Sequence, residues 1–411
     1  MRAFDGVFAS WRNEPERVVA WTPGNSVTNA LYIHIGLDVK PTIVVSGVNV
    51  TNTGILAIFK DALGSLAAGY LEIFDITALV HNKALFDVPG VTFIEYPEIK
   101  SSWLKRLHFE YYECLYLSQR IRPYLWLAMH DMTPNVRARI RAVYCHNPAA
   151  FYPFRAKEAL LDWKFGLFVL FYRFLYGINI RSNDFVVVQQ DWIRSVFQSR
   201  YGVRNVVVAH PSVEHLAIPL ADNSLSHLGS CYRFFYPAYP RPFKNIEQLL
   251  KAVRRLEVSG FRRFEVWLTT NGTETRYAAK IASEYSDLTT VRWLGLLPRS
   301  EVLSLYAKAD CLVFPSKLES WGMPITEFKL TGKPILAADL PYARETVGEY
   351  ERSAFFAIGD DALLAAKMRQ AVRGEDVFHP AEAEPIAEPF SHDWRELWLT
   401  LLDTESLRSS R

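Results

Sequence analysis

Short apolar runs that do not alternate with polar residues recur along this chain, separated by stretches of helical character. PTIVVSG (41–47), VTFIEY (91–96), YLWLAM (124–129), AVYCH (142–146), DFVVVQQ (184–190) and NVVVAH (205–210) form a first set. A strand that is apolar at every position must be covered on both faces, so these runs predict parallel strands sandwiched between helices. The intervening segments 55–69 and 102–122 read as helices, the second ended by Pro123. Residues 211–230, PSVEHLAIPLADNSLSHLGS, are polar, carry two prolines and lack a period, which marks a domain boundary. The pattern then restarts with YRFFYPA (232–238), FEVWLTT (264–270), VRWLGL (291–296), CLVFPS (311–316) and PILAAD (334–339). Helices are predicted over 246–260, 275–285, 300–309 with Ser300 as N-cap, from Pro324, and over 392–403. The expectation is an α/β protein of two doubly wound parallel-sheet domains. Residues 1–215 would form the first, 216–390 the second, and 391–411 a terminal helix packing back towards the first.

A length of 411 residues exceeds one compact core and fits two domains. Hydrophobic residues are 50% and charged residues 22%, an ordinary globular balance. A formal charge of only +2 argues against nucleic acid, whose phosphates demand concentrated positive charge. Cys114, Cys145, Cys231 and Cys311 have neither CxxC nor zinc spacing and read as free thiols of a reducing compartment. The first residues, MRAFDGVFASWRNEPER, scatter charge through any apolar leader, so a signal peptide is not expected. The most apolar segment, WKFGLFVLFYRFLYGINI (163–180), is interrupted by Lys164 and Arg173. It reads as a buried or membrane-surface helix, since a spanning helix needs roughly 20 residues without central charge.

Ligands of open parallel sheets bind beyond the carboxyl ends of the strands. The stretch ESWGMPITE (319–327) follows such an end, in CLVFPS. Gly322 permits a tight turn and Pro324 suits a first helical turn, so the amides of Trp321, Gly322 and Met323 can face an anion. Glu319 and Glu327 on either side make sense as acceptors from hydroxyl groups. Hydroxyls, a phosphate and further hydroxyls in a row describe a sugar nucleotide.

The run ESWGMPITEFKLTGKPILAADLPYARETVG (319–348) resembles the E-x7-E region of retaining GT-B glycosyltransferases of family 4. FFYPAYPRPFKN (234–245), LTTNGTETRYA (268–278) and VYCHNPAAFYP (143–153) resemble the bacterial O-antigen and polysaccharide transferases of that group. The resemblance implies a GT-B fold, with two Rossmann-like domains facing a cleft. It implies that Glu319 faces the donor sugar, Glu327 the ribose, Lys244 the diphosphate, and His146 the reacting sugar from the first domain. Arg241 stands where the family's arginine is shifted in sequence, and either reaches the diphosphate or caps surface structure. Gly54, with Asn52 before it, matches the acceptor-side glycine loop loosely. Asp131, Thr133, Arg181, Gln190 and Arg194 are candidates for acceptor contacts, and Glu274 and Arg276 for donor contacts or loop structure.

The expected activity is transfer of a hexosyl or deoxyhexosyl group from a GDP-, UDP- or dTDP-linked sugar to a glycan or polyprenyl-linked glycan, in bacterial O-antigen, lipopolysaccharide or capsule synthesis. No DxD triplet occurs, so neither a metal nor another cofactor is expected; no GxGxxG or GxxxxGK[ST] supports NAD or ATP. The expected location is the cytoplasm, with a peripheral seat on the inner membrane face through Trp103, Lys105, Arg106 and residues 163–180. The alternative is a non-catalytic sugar-nucleotide or glycan-binding protein on the same scaffold.

Overall fold

The computed structural model describes residues 40–51, 53–152, 163–211 and 231–402. Residues 42–402 lie within one compact unit. Its first sheet is built from β1 (Thr42–Gly47), β2 (Asp75–Val80), β3 (Val91–Glu95), β4 (Leu125–Ala128), β5 (Ile140–Cys145), β6 (Phe185–Val188) and β7 (Val206–Ala209). The second contains β8 (Tyr232–Tyr236), β9 (Phe264–Leu268), β10 (Val291–Trp293), β11 (Cys311–Phe314), β12 (Ile335–Ala338) and β13 (Ser353–Phe356). The short β14 (Phe390–Ser391) returns to the first sheet, pairing with β7. The orders are β14-β7-β6-β5-β4-β1-β2-β3 and β10-β9-β8-β11-β12-β13. Every paired strand is parallel to its neighbour.

The crossovers carry the helices, as parallel pairing requires. In the first domain these are α1 (Thr53–Tyr70), α2 (Trp103–His108), α3 (Cys114–Ile121), α4 (Trp163–Gly177) and α5 (Asp191–Val196). In the second they are α6 (Ile246–Val258), α7 (Arg276–Glu284), α8 (Arg299–Lys308), α9 (Met323–Lys329), α10 (Pro341–Val347) and α11 (Asp361–Arg373); α12 (Trp394–Leu402) ends the described chain. Adjacent strand residues enter opposite layers. Ile43 and Val45 join a core with α1 and α12, while Val44 meets Phe109 and Cys114; Val187 faces the former core, and Val186 and Val188 face Tyr172 and Tyr176 of α4. This two-sided burial is the reason those runs carry apolar residues at consecutive positions.

Two local expectations are corrected. The helix expected over 102–122 is two helices joined by a π-helical turn, Phe109–Glu113. Its widened spacing leaves the Glu110 carbonyl free to accept from the Asn135 amide at 2.8 Å. Ser300 is not an N-cap: α8 begins at Arg299 after extended Pro298. Strand β2, unread in the sequence, pairs with β1 along its whole length.

Trp394, Leu397, Trp398 and Leu401 of α12 sit in the same core as Ile58, Leu63 and Leu66 of α1. Truncation of Trp398, a fully buried ring, to alanine is expected to destabilise the protein by roughly 3–5 kcal/mol in urea unfolding. A loss under about 1 kcal/mol would mean that α12 is not integral to that core.

Candidate active site

The second-domain half of the site forms where two loops leave adjacent strands. After β8 the chain turns through Arg241, and Pro242–Lys244 make one 3-10 turn in which the Lys244 amide donates to the Arg241 carbonyl at 2.9 Å. The Lys244 carbonyl accepts from the buried Tyr236 hydroxyl at 2.8 Å, which fixes the turn on its own strand. After β11 the chain runs through Glu319 to Gly322, whose φ of 96° lies in the left-handed region natural to glycine, and enters α9 with Pro324 in its first turn. Lys244 Nζ donates to Glu319 Oε1 at 2.5 Å, with both side chains mostly out of solvent. The ammonium also lies 5.5 Å from the Phe243 ring. Glu319 in turn adds to the burial that holds the phenols of Tyr236 and Tyr342 far above their usual range.

Glu327 is 5% exposed on the inner face of α9. Its carboxylate takes Arg299 at 2.7 Å and the Tyr306 hydroxyl at 2.9 Å. Burial raises its pKa, and Arg299 and Tyr306 partly offset that. Trp321 is buried, its indole donating to Thr326 at 2.8 Å and packing 4.3 Å from the His210 ring. Arg241 lies 5.4 Å from the Tyr239 ring, in the same turn as Lys244. Glu274 ties its own loop: burial opposes ionisation, but bonds from Thr270 and from the amides of Asn271 and Gly272 outweigh it and lower the pKa.

The first-domain half is organised by Asp131, a buried residue at φ 71° after β4. Its carboxylate accepts from the amides of His146 and Asn147 at 2.8 and 3.0 Å and from the hydroxyls of Tyr172 and Tyr176 at 3.2 and 2.9 Å. His146 Nε2 stands 3.5 Å from Asp131 Oδ2. Asp131 therefore orients the histidine instead of meeting an acceptor. Beyond His146 the chain continues to Ala149 and Tyr152, which pack with Val169 against Leu318 and Phe243 of the second domain; the Tyr152 and Phe243 rings are 6.2 Å apart. The histidine loop thus abuts the residues next to Lys244 and Glu319.

Other candidates have structural duties. Gln190 is fully buried and reaches α10 across the domain boundary. Arg194 is held by Asp191 and the Ala387 carbonyl, Arg181 by the Tyr201 carbonyl, and Thr133 by Asn183. Gly54 lies in the first turn of α1 with open space where a Cβ would stand, whereas a Cβ on Gly47 would collide with the Phe59 ring. Asn52 lies outside the described residues. Among the described residues no group of three or more His, Cys, Asp or Glu is placed to hold a metal ion. Arg276 opens α7 behind its N-cap Thr275.

One cluster near Asp131 has no signature in the sequence. Arg106, expected on the surface, is buried and donates to the His130 carbonyl at 2.8 Å. Glu110, in the π-helical turn, is fully buried with His130 Nε2 at 3.5 Å and Arg106 Nε at 3.9 Å, and neither carboxyl oxygen has a hydrogen-bond partner among the described residues. Burial pushes its pKa up to about 8, with Arg106 opposing, and holds His130 well below its usual value.

Three comparisons with known proteins bear on this chain. The family described as glycosyl transferases group 1 matches residues 232–384, the segment that carries Lys244, Glu319 and Glu327. Residues 232–384 thus match the group 1 glycosyl transferases, and the chain as a whole has the GT-B fold. The O-antigen chain mannosyltransferase B of Escherichia coli is 26% identical over 155 residues, covering 37% of this chain and 40% of that protein. The chain thus matches well under half of that relative's length. Among solved structures, sucrose-phosphate synthase from Thermosynechococcus elongatus has a TM-score of 0.61 at 14% identity, covering 90% of this chain and 97% of that one. Anabaena Alr3699/HepE in complex with UDP-glucose has 0.59 at 13%, covering 90% and 97%. WaaG, a glycosyltransferase involved in lipopolysaccharide biosynthesis, has 0.55 at 13%, covering 89% and 96%. At these identities the likeness is one of fold.

A carboxyl whose folded pKa is raised binds more protons folded than unfolded, so its contribution to stability falls as pH rises from its unfolded value of 4.5 to about 8. Glu110→Gln removes that dependence. The stability of E110Q relative to the parent is expected to climb steadily between pH 5 and pH 8 in urea titrations. A constant difference across that range would refute the raised pKa.

Proposed function

We propose that this protein is a retaining glycosyltransferase. It would move a hexosyl or deoxyhexosyl group from a nucleoside-diphosphate sugar to a glycan or polyprenyl-linked glycan during bacterial surface-polysaccharide synthesis, without a metal. The observation that carries the reading is the Lys244–Glu319 pair, formed at 2.5 Å between two loops of the group 1 domain and abutted by the His146 loop of the other. Departure of a sugar leaves negative charge on the diphosphate, and a preplaced ammonium stabilises that charge. Arg241, in the turn that ends in Lys244, is the second cation within the same segment. The Trp321–Met323 backbone would approach the phosphate, Glu319 the sugar hydroxyls, and Glu327 the ribose. His146, fixed by Asp131, would face the sugar from the first domain. Support for the substrate class comes from the mannosyltransferase relative and from the UDP-glucose complex of the fold neighbour. Retention rests on the family resemblance.

The acceptor side suits a bilayer. Tyr172 and Tyr176 of α4 turn inward to Asp131, while Leu167, Leu170, Phe171 and Phe174 form an i, i+3, i+4, i+7 stripe on the same helix that is 49–70% exposed. Trp103, 6.2 Å from the Phe171 ring, and the exposed Leu104 extend the stripe, with Lys105 beside them. One helix thus supports the histidine on one face and shows membrane-compatible surface on the other. No described helix is long and apolar enough to cross a membrane. A shallow seat on the inner face of the cytoplasmic membrane would bring a lipid-linked acceptor to the cleft.

A thermal-shift series with UDP, GDP and dTDP should single out one nucleotide that stabilises the protein in a concentration-dependent manner. Lys244→Ala should abolish that shift, and Glu319→Gln should cut transfer by about 10²–10³-fold. No stabilisation by any of the three would overturn the donor class; tight binding with no transfer to any acceptor would favour a binding protein. Sedimentation with phosphatidylglycerol vesicles tests the membrane seat: the parent should pellet and Leu170→Ser/Phe174→Ser should not.

A further inference from the structure

The loop that bears Glu319 belongs to the second domain, yet its position is set from the first. Gln190 is buried at the start of α5, after β6. The Trp192 indole, which can only donate, points at Gln190 Oε1 at 2.7 Å. That contact fixes which end of the amide is which, and leaves both Nε2 protons for α10. One goes to the Tyr342 carbonyl at 2.9 Å and the other to the Thr346 hydroxyl, also at 2.9 Å. Thr346 then has a single proton to give, and the Trp321 carbonyl shares it with the Tyr342 carbonyl of its own helix, at 2.8 Å. The Tyr342 hydroxyl, from the same helix, donates to the Ser316 carbonyl at 2.7 Å. One short helix therefore pins the Glu319 loop on both flanks, at Ser316 and Trp321. A second first-domain grip lies alongside: the Asp191 amide donates to Glu345 at 3.0 Å, and His210 meets Glu345 at 3.0 Å while packing on the Trp321 ring.

We infer that Gln190 is a positioning residue of the first domain that holds the Glu319 loop in place through Thr346. The seating of the two domains is thereby coupled to the shape of the donor side. Every donor and acceptor in the chain Trp192–Gln190–Thr346–Trp321 is used; Gln190, Thr346 and Trp321 are buried and Trp192 is partly so. A half-broken chain would strand buried polar groups, so the relay favours an all-or-none contact. Only the catalytic consequence rests on the proposed glycosyl transfer; the mechanical coupling does not.

The test is amide hydrogen exchange of the full chain, without ligand, on Thr346→Val, Thr346→Ser and Gln190→Met. Exchange in residues 317–323 should accelerate about five- to tenfold in T346V and in Q190M, the change expected of one lost hydrogen bond. T346S, which keeps the hydroxyl, should stay near the parent. The double variant should exceed neither single variant by more than about twofold, because both break one chain. Strands β8 and β11 should exchange at the parental rate throughout. Uniform acceleration across the second domain would reduce Gln190 to general stabilisation. A fast loop in T346V but not in Q190M would place the control within α10 alone. Either result overturns the inference. If a nucleoside diphosphate, tried with UDP first, binds the parent, its dissociation constant should rise in T346V and Q190M and recover in T346S. If none binds the parent, the proposed donor class fails while the exchange result still decides the coupling.

Discussion

The site depends on one register. β8 and β11 are parallel neighbours, with Cys311 opposite Phe234 and Leu312 opposite Phe235. The chain therefore leaves both strands at the same edge, one strand spacing of about 4.8 Å apart. A lysine eight residues past Tyr236 and a glutamate five past Phe314 can meet only because of that alignment. A shift of the pairing by two residues would keep every side chain on its proper face and still separate the pair, because two residues span about 6.6 Å. The buried cluster of Phe234, Phe235, Leu312 and Phe314 with Ile325 and Tyr342 resists such a shift through shape rather than through hydrogen bonds, which would be equally well made.

Most of the architecture is legible in the chain because parallel strands announce themselves. Two-sided burial leaves few polar positions, and runs such as FVVV and CLVF fit little but a strand covered on both faces. β2 escapes such a reading for the same reason inverted: DITALV begins with Asp75 and includes Thr77, both at the less covered end of the strand. Ser300 does not cap because Pro298, extended and unable to donate, already sets the helix start at Arg299. The Glu319–Glu327 segment is legible from local chemistry, a glycine and a proline between two carboxylates. Its supports are not. Gln190 and Thr346 are 156 positions apart, and no local pattern links a glutamine after one strand to a threonine late in a helix. The same holds for the partners of Glu327, since nothing in RSEVLSLY marks Arg299 and Tyr306 as facing a carboxylate. Asp131 looks like a turn residue and is one, but its carboxylate gathers two amides and two phenols that the sequence scatters over 45 positions.

Polar burial in this protein is concentrated where domains or loops must be held in one arrangement. Asp131, Gln190, Glu327 and Thr346 are all buried, and each has its bonding capacity largely taken. Replacing such networks by apolar groups often stabilises a protein, so their presence in a core otherwise rich in Phe, Val and Leu points to specification of geometry more than to stability. Glu110 is an exception, with bare oxygens and a pKa near 8, and it lies beneath His130, next in sequence to the Asp131 that fixes His146. The cost of burying that acid is carried by the first domain, within one residue of the carboxylate that orients its candidate histidine.

On the proposed reading, the Lys244–Glu319 pair bears on how a carboxylate could stand beside a phosphate. Taken alone, Glu319 would repel a diphosphate, and Lys244 would be an uncompensated charge mostly out of solvent. Together they are neutral, and breaking such a pair by deleting one member typically costs about 3–5 kcal/mol. On the proposed reading, a diphosphate arriving at Lys244 would supply a replacement anion, so the ammonium need never be unpaired. Glu319 would then be released from its 2.5 Å contact with its acceptor capacity intact, at the moment when sugar hydroxyls are present to use it. On the proposed reading, specificity would come from where the hydroxyls stand. That makes the rigidity of the Glu319 loop, and so the grip of Gln190 upon it, the quantity on which discrimination between sugars would turn.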